Sequence, residues 1–304
     1  MKRYTIDQLS HLSGLPDTTI LFWHKKYNVF PDIIPTKDRD FKYNTNHLNR
    51  LLNITTLFHL DKKYSLEKLS ILESCDLELK VEIELLTNLI KNKLNDDIIN
   101  QLLVSTLTYD SSRFNLIIDT GLKKLSTEDF YNYIMYPFLV RIFETFHNAK
   151  EIPVQFYYMI NILERKLHHL IHTTGSVCDK DEVVLLYLPE NEFYEIGLLF
   201  TNLLLKQRGY KTYYIGSNQK PIAIKQFIED INPDIILSFD ANSANYKSYN
   251  KVFESFPDHI DKFYLLGRQI TIEKYKIPRK QKFYDLKEFE NFLEELAHKK
   301  SELK

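Results

Sequence analysis

The hydrophobic period of this chain changes once, near residue 177, and that change excludes a single uniform architecture. Before it, residues 77–172 run in helical spacing, with Gly121 as their only glycine. LELKVEIELLTNLIKNKL, STEDFYNYIMYPFLVRIFETFHN and PVQFYYMINILERKLHHLI are examples. Apolar residues at three- and four-residue intervals without strand alternation predict about four or five antiparallel helices in a bundle. After it, short apolar runs alternate with helical stretches. The runs are VVLLYL at 183–188, residues 211–215, DIILS at 234–238 and KFYLL at 262–266. Helices are expected at EFYEIGLLFTNLLLKQRG, over 221–230 and near 244–256, with a last strand-helix pair near 282–296. Strands separated by helices of ten to fifteen residues predict a doubly wound parallel sheet. Gly197, Gly209, Gly216 and Gly267 all fall in this part of a chain that has seven glycines.

The first seventy residues follow another plan. Thr5 with Gln8 three positions on makes a capping box ahead of Ile6, Leu9 and Leu12, and Gly14 ends that helix. Pro16 starts a second helix with Asp17 early and Lys25 and Lys26 late, both favourable to the helix dipole. Two short helices joined by Ser-Gly-Leu read as a helix-turn-helix. Pro31, Pro35, Phe41 and Tyr43 in residues 28–44 suggest a small β-wing, and helical periodicity resumes with NTNHLNRLLNITTLFHL and YSLEKLSIL. The expected organisation is a winged helix-turn-helix over 1–74, a helical bundle over 75–176 and an α/β domain over 177–304, a multidomain α and α/β chain.

Composition narrows the function. Residues 1–72 carry eleven Lys/Arg against seven Asp/Glu, whereas residues 73–170 carry ten against fourteen. A basic head before an acidic middle suits contact with a polyanion. No apolar run nears the roughly 18 residues that span a bilayer, and the first residues lack a signal peptide's apolar core. Cys75 and Cys178 stand alone, so a reducing, cytoplasmic location is expected. His168, His169 and His172 read as a solvated helix end; no metal site is expected. No phosphate-binding loop, HExxH or GxSxG motif occurs. An enzyme is not expected.

YTIDQLSHLSGLPDTTILFWHKKY, then Tyr43, LNRLLNI at 48–54 and YSLEKLSIL at 64–72 resemble the MerR family of transcription regulators. The resemblance implies that the second helix enters the DNA major groove while the wing touches flanking backbone. It places Thr18, Thr19, Phe22, Trp23, Lys25, Lys26, Lys37, Arg39, Lys42 and Tyr43 at a duplex DNA interface. The arginines usual to the family are absent at Leu21, near Pro35 and at Phe41. A homodimer or higher homo-oligomer on a near-palindromic site is the implied assembly. The alternative is a module that docks on another regulator through the same surface.

LPENEFYEIGLLFTNLLLKQRGYKTYYIG, INPDIILSF and FYLLGRQ resemble the cobalamin-binding domain of the light-sensing, adenosylcobalamin-dependent MerR repressors. In that family a Glu-x-His-x-x-Gly motif supplies an axial histidine to cobalt, and its glycine lets the nucleotide tail pass. Glu192 and Gly197 match, Tyr194 takes the histidine's place, Ser238 matches the downstream serine, and Gly267-Arg268 replaces Gly-Gly. The residues that cap the corrin's upper face, a tryptophan and a Glu-His pair, correspond to Phe146, Phe156 and Tyr157. A phenol is a poor neutral ligand for cobalt, so cobalamin held through a nitrogen is disfavoured and the effector stays open.

Overall fold

The computed structural model describes residues 3–33, 42–60, 64–88, 95–146, 152–174, 179–240, 245–267 and 272–303. The chain forms two compact units, one of residues 1–126 with 133–161, the other of 127–132 with 162–304. No helix among the described residues is long and apolar enough to cross a membrane.

The first unit is helical. Helix α1 (Ile6–Ser13) begins with the expected capping box: Gln8 N–H donates to Thr5 Oγ1 at 3.2 Å, and Thr5 N–H donates to Gln8 Oε1 at 3.0 Å. Gly14 ends it at φ +71°, the left-handed conformation that glycine adopts without strain. Helix α2 (Asp17–Tyr27) follows Pro16 and stops at Asn28, also left-handed. Of the expected wing, residues 34–41 lie outside the described residues. What is described is its root, an antiparallel bridge in which Tyr4 and Tyr43 exchange N–H···O bonds of 2.6 and 2.9 Å.

Helix α3 (Thr45–Leu60) is the spine of this unit, with every residue from His47 to Leu57 buried. Its polar residues are therefore committed to partners. Arg50 donates to the carbonyls of Val29 (2.7 Å), Leu72 (2.7 Å) and Ser70 (2.6 Å), tying the end of the α2 connection to the far end of α4 (Leu66–Ser70). Helices α5 (Ser74–Asn88), α6 (Asn95–Leu107) and α7 (Ser111–Lys124) follow, and α5 and α6 both pack on α3. Gln101 of α6 donates to Thr56 Oγ1 at 2.8 Å. After α8 (Thr127–Phe130) and a π-turn (Tyr131–Met135) come α9 (Tyr136–Phe146) and α10 (Val154–Thr173).

The second unit holds the expected parallel sheet. Strands β1 (Val183–Pro189), β2 (Lys211–Gln219), β3 (Ile235–Asp240), β4 (Phe263–Gly267) and β5 (Lys282–Phe283) lie in the order β2-β1-β3-β4-β5, all parallel. This is the flavodoxin-like order. The crossover helices are α11 (Ile196–Gln207), α12 (Pro221–Ile231) and α13 (Tyr246–Ser255), and α14 (Leu286–Leu303) closes the chain. Strands β1 and β3 are buried on both faces, which is why they read as largely apolar runs without strict alternation.

Candidate functional sites

The first site is the outer face of α2. Ile20, Trp23 and His24 are buried, so the helix has one inward stripe. Thr18, Phe22, Lys25 and Lys26 are exposed on the other side, Phe22 at 52%. Residues three and four apart share a helix face, so Phe22 sits among Thr18, Lys25 and Lys26. The Lys26 ammonium lies 5.5 Å from the Phe22 ring centre and 5.0 Å from that of Tyr27, and the two rings meet edge to face at 6.3 Å. Thr19 is half-buried, and Arg3 and Lys42 add exposed positive charge.

Two residues expected at the DNA surface are elsewhere. Trp23 is buried and meets Phe58 edge to face at 5.5 Å. Tyr43 is 0% exposed and packs on Phe30 at 5.2 Å. Their large rings fill the core of a small domain. Lys37 and Arg39 fall outside the described residues.

The turn between α1 and α2 has a partner that sequence reading missed. Arg141 of α9 donates to the Leu12 carbonyl (3.5 Å) and to Asn100 Oδ1 (3.0 Å), and pairs with Asp96. A Cβ on Gly14 would lie 2.9 Å from its guanidinium. The left-handed backbone is what requires glycine at position 14, since the Arg141 guanidinium is the end of a flexible side chain that can shift.

The second site lies where the strand order reverses, between β1 and β3, the usual binding position in such sheets. Here the loop after β1 folds around the Glu192 carboxylate. Its Oε1 accepts the Phe193 and Tyr194 N–H groups, each at 3.1 Å, and its Oε2 accepts Asn245 Nδ2 at 3.2 Å. Asn245 also donates to the Asn191 carbonyl at 2.6 Å, which ties this loop to the start of α13. Glu192 is fully buried; burial raises its pKa, against the hydrogen bonds from Tyr194 and Asn245, with Asp240 nearby adding to the rise. Tyr249 donates to the Phe239 carbonyl at 2.5 Å, and burial followed by the carboxylates Glu192 and Asp240 raises its phenol well above the ordinary value.

The other expected residues are distributed as follows. Tyr194 is 39% exposed on the loop. Ser238 lies inside β3, buried, with its hydroxyl donating to the Tyr187 carbonyl at 2.8 Å. A Cβ on Gly197 would lie 2.4 Å from two atoms of the Phe239 ring, so that ring occupies the space the glycine leaves. Phe239 in turn meets Tyr131 edge to face, and Tyr131 lies against Phe200 at 5.0 Å. A Cβ on Gly267 would lie 2.7 Å from both the Asp240 carbonyl and Ile272 Cγ2. In the first unit, Phe146 and Phe156 are buried with ring centres 5.5 Å apart, and Tyr157 is 53% exposed. Arg268 lies outside the described residues. No group of three or more His, Cys, Asp or Glu able to hold a metal occurs among the described residues.

A cavity of about 470 Å³ lies in the second unit near Asp179, Lys180, Arg208, Tyr210 and Glu290. These residues stand at the amino ends of β1 and β2 and on α14, away from the loops after β1 and β3. At its wall Arg208 pairs with Glu128 and Glu290, and Glu290 also with Lys287.

The chain thus combines a helix-turn-helix that has a bridged wing root with a flavodoxin-like α/β unit built on a β2-β1-β3-β4-β5 sheet. Residues 4–73 match the sequence profile of the family described as MerR HTH family regulatory protein, so the head is of MerR type. The monomethylamine corrinoid protein of Methanosarcina barkeri is similar in structure, with a TM-score of 0.51 at 12% identity, covering 69% of this chain and 99% of that one. At that identity the likeness establishes the fold alone. A cobalamin-binding protein from Desulfitobacterium hafniense DCB-2 (TM-score 0.29, 13% identity, 56% of this chain and 82% of that one) also matches. So does the methanol:cobalamin methyltransferase complex of Methanosarcina barkeri (0.32, 10%, 73% and 87%). Those two scores carry no argument. No curated protein matches the chain in sequence.

Proposed function

We propose that this chain is a DNA-binding transcriptional regulator, with the α1–Gly14–α2 head reading duplex DNA and no enzymatic activity of its own. The observation that carries the reading is the outer face of α2. A MerR-type head leaves Thr18, Phe22, Lys25 and Lys26 exposed on its second helix, with Arg3 and Lys42 as further exposed cations. Lysines on this face suit phosphate contacts, which position a protein without specifying sequence. The chain then works as three parts, a head over 1–74, a bundle over 75–176 and an α/β module over 177–304, assembled as a homodimer or higher oligomer on a near-palindromic site. The test is retention of random-sequence duplex by the full chain at low salt, with affinity falling as salt rises. Absence of retention would overturn the reading in favour of a protein-docking head.

For the α/β module, the residues in place do not fit cobalamin held by a protein nitrogen. Tyr194 stands where the axial histidine would be, the Phe239 ring fills the space beside Gly197, and the Ser238 hydroxyl is committed to the Tyr187 carbonyl. The module acts as an oligomerisation or docking element whose loops are set by Glu192. Incubation with hydroxocobalamin, desalting and a visible spectrum test this. A retained corrin with nitrogen at its lower face would overturn it. Tyr194→His alone is expected not to restore retention, because Phe239 still occupies the space.

A further inference from the structure

Base readout in the major groove depends on a short set of side chains. Arg or Lys reads guanine, Asn or Gln adenine, Asp or Glu cytosine, and apolar groups read the thymine methyl. Helix α2, DTTILFWHKKY, contains no Arg, Asn, Gln or Glu, and its lysines, Lys25 and Lys26, stand in the last turn, where the proposed function assigns them to phosphates. Its one carboxylate, Asp17, is at the first turn and accepts the Thr18 N–H at 2.7 Å, a local cap. Lys26 lies along the rings of Phe22 and Tyr27, which places its charge at the rim of an apolar surface. The largest exposed apolar group on the helix is Phe22, near the middle of the outer face, with the Thr18 methyl one turn before it.

We propose that the head selects DNA by apolar contact, with Phe22, supported by Thr18, reading thymine C5 methyl groups in the major groove. This rests on the DNA-binding reading above. The physical basis is simple. A half-exposed phenyl ring placed at the groove floor removes apolar surface from water when it meets a methyl group. It gains nothing from the donors and acceptors of a G·C pair. Selected half-sites therefore contain thymine under Phe22, and the lysines beside it hold the register on phosphates.

The test uses the full chain. Sites are first selected from a randomised duplex, and each thymine of the selected site is then replaced in turn by deoxyuridine, which removes only the methyl. At one or two positions the replacement should weaken binding about fourfold, the equivalent of one buried methyl. The Phe22→Ala variant should bind the thymine and uridine duplexes equally. Phe22→Leu should retain most of the discrimination. Equal binding of both duplexes by the unaltered protein would overturn the proposal. So would a selected site read only at guanines with Phe22→Ala unchanged. Loss of all duplex binding by the unaltered protein would instead overturn the underlying DNA-binding reading, and with it this one.

Discussion

Gly197 and Phe239 should behave as one packing unit. A Cβ added at Gly197 would stand 2.4 Å from the Phe239 Cε1 and Cζ atoms and 2.6 Å from Cδ1. The obstacle is a ring on a buried strand, backed by Tyr131, and it has no flexible end to swing aside. Forcing an extra carbon into such a contact costs about 1–3 kcal/mol. Phe239→Ala alone removes a buried phenyl and costs about 3–5 kcal/mol. In that background the three atoms nearest the added Cβ are gone, and replacing a helical glycine by alanine then gains roughly 0.5–1 kcal/mol. Gly197→Ala should therefore change sign between backgrounds, a coupling of about 1.5–4 kcal/mol. Amide hydrogen exchange of peptides from α11 and β3 reads the local stability. Fluorescence of Trp23, the chain's one tryptophan, serves as a control in the other unit. Equal destabilisation by Gly197→Ala in both backgrounds would refute the contact.

Three further outcomes follow from the same geometry. Arg50→Met should destabilise the first unit by about 2–4 kcal/mol, because it leaves the Val29, Ser70 and Leu72 carbonyls without their charged donor. Arg50→Lys should not restore it, since one ammonium lacks the planar fork that reaches three acceptors, and urea unfolding followed by Trp23 fluorescence checks both. Burial raises the Glu192 pKa, so the folded protein holds that proton more tightly than the unfolded chain. Its contribution to stability is full below the ordinary glutamate range and is lost as pH rises through the raised value. The difference in thermal midpoint between the unaltered protein and Glu192→Gln should depend on pH across that window; a constant difference would refute the assignment. Thr5→Ala should cost roughly 1 kcal/mol by opening the α1 capping box, seen as faster amide exchange at Gln8.

The elements that were legible in the sequence share a physical cause. Val183–Pro189 and Ile235–Asp240 are buried on both faces, so burial alone writes an apolar run of strand length bounded by polar turns. Helix α1 was legible because its signals, Thr5, Gln8 and Gly14, act within one turn of each end. What was not legible depends on contacts between distant segments. Arg50 and Asn53 look like a solvated helix face in LNRLLNI, but α3 is covered by α5 and α6 as well as by the head. Trp23 and Tyr43 resemble groove-facing aromatics until Phe58 and Phe30 are found against them. The partners of Arg141 are 41 to 129 positions away, beyond any local signal.

The switch-point residues show why a motif is weaker evidence for a ligand than it first looks. Glu192, Gly197 and Ser238 match positions of the cobalamin-binding motif that this part of the sequence resembles. In this chain each has a sufficient internal reason. Glu192 organises its own loop through the Phe193 and Tyr194 amides and Asn245, Gly197 admits the Phe239 ring, and Ser238 satisfies the Tyr187 carbonyl inside the sheet. The same small or polar residues that clear a channel for a ligand also clear space for a phenyl ring. Their presence therefore cannot count toward binding unless the space is open, and Phe239 closes it. Opening it means removing that ring, so any variant designed to accept a corrin tail must start from Phe239 before the axial position at Tyr194 has anything to hold.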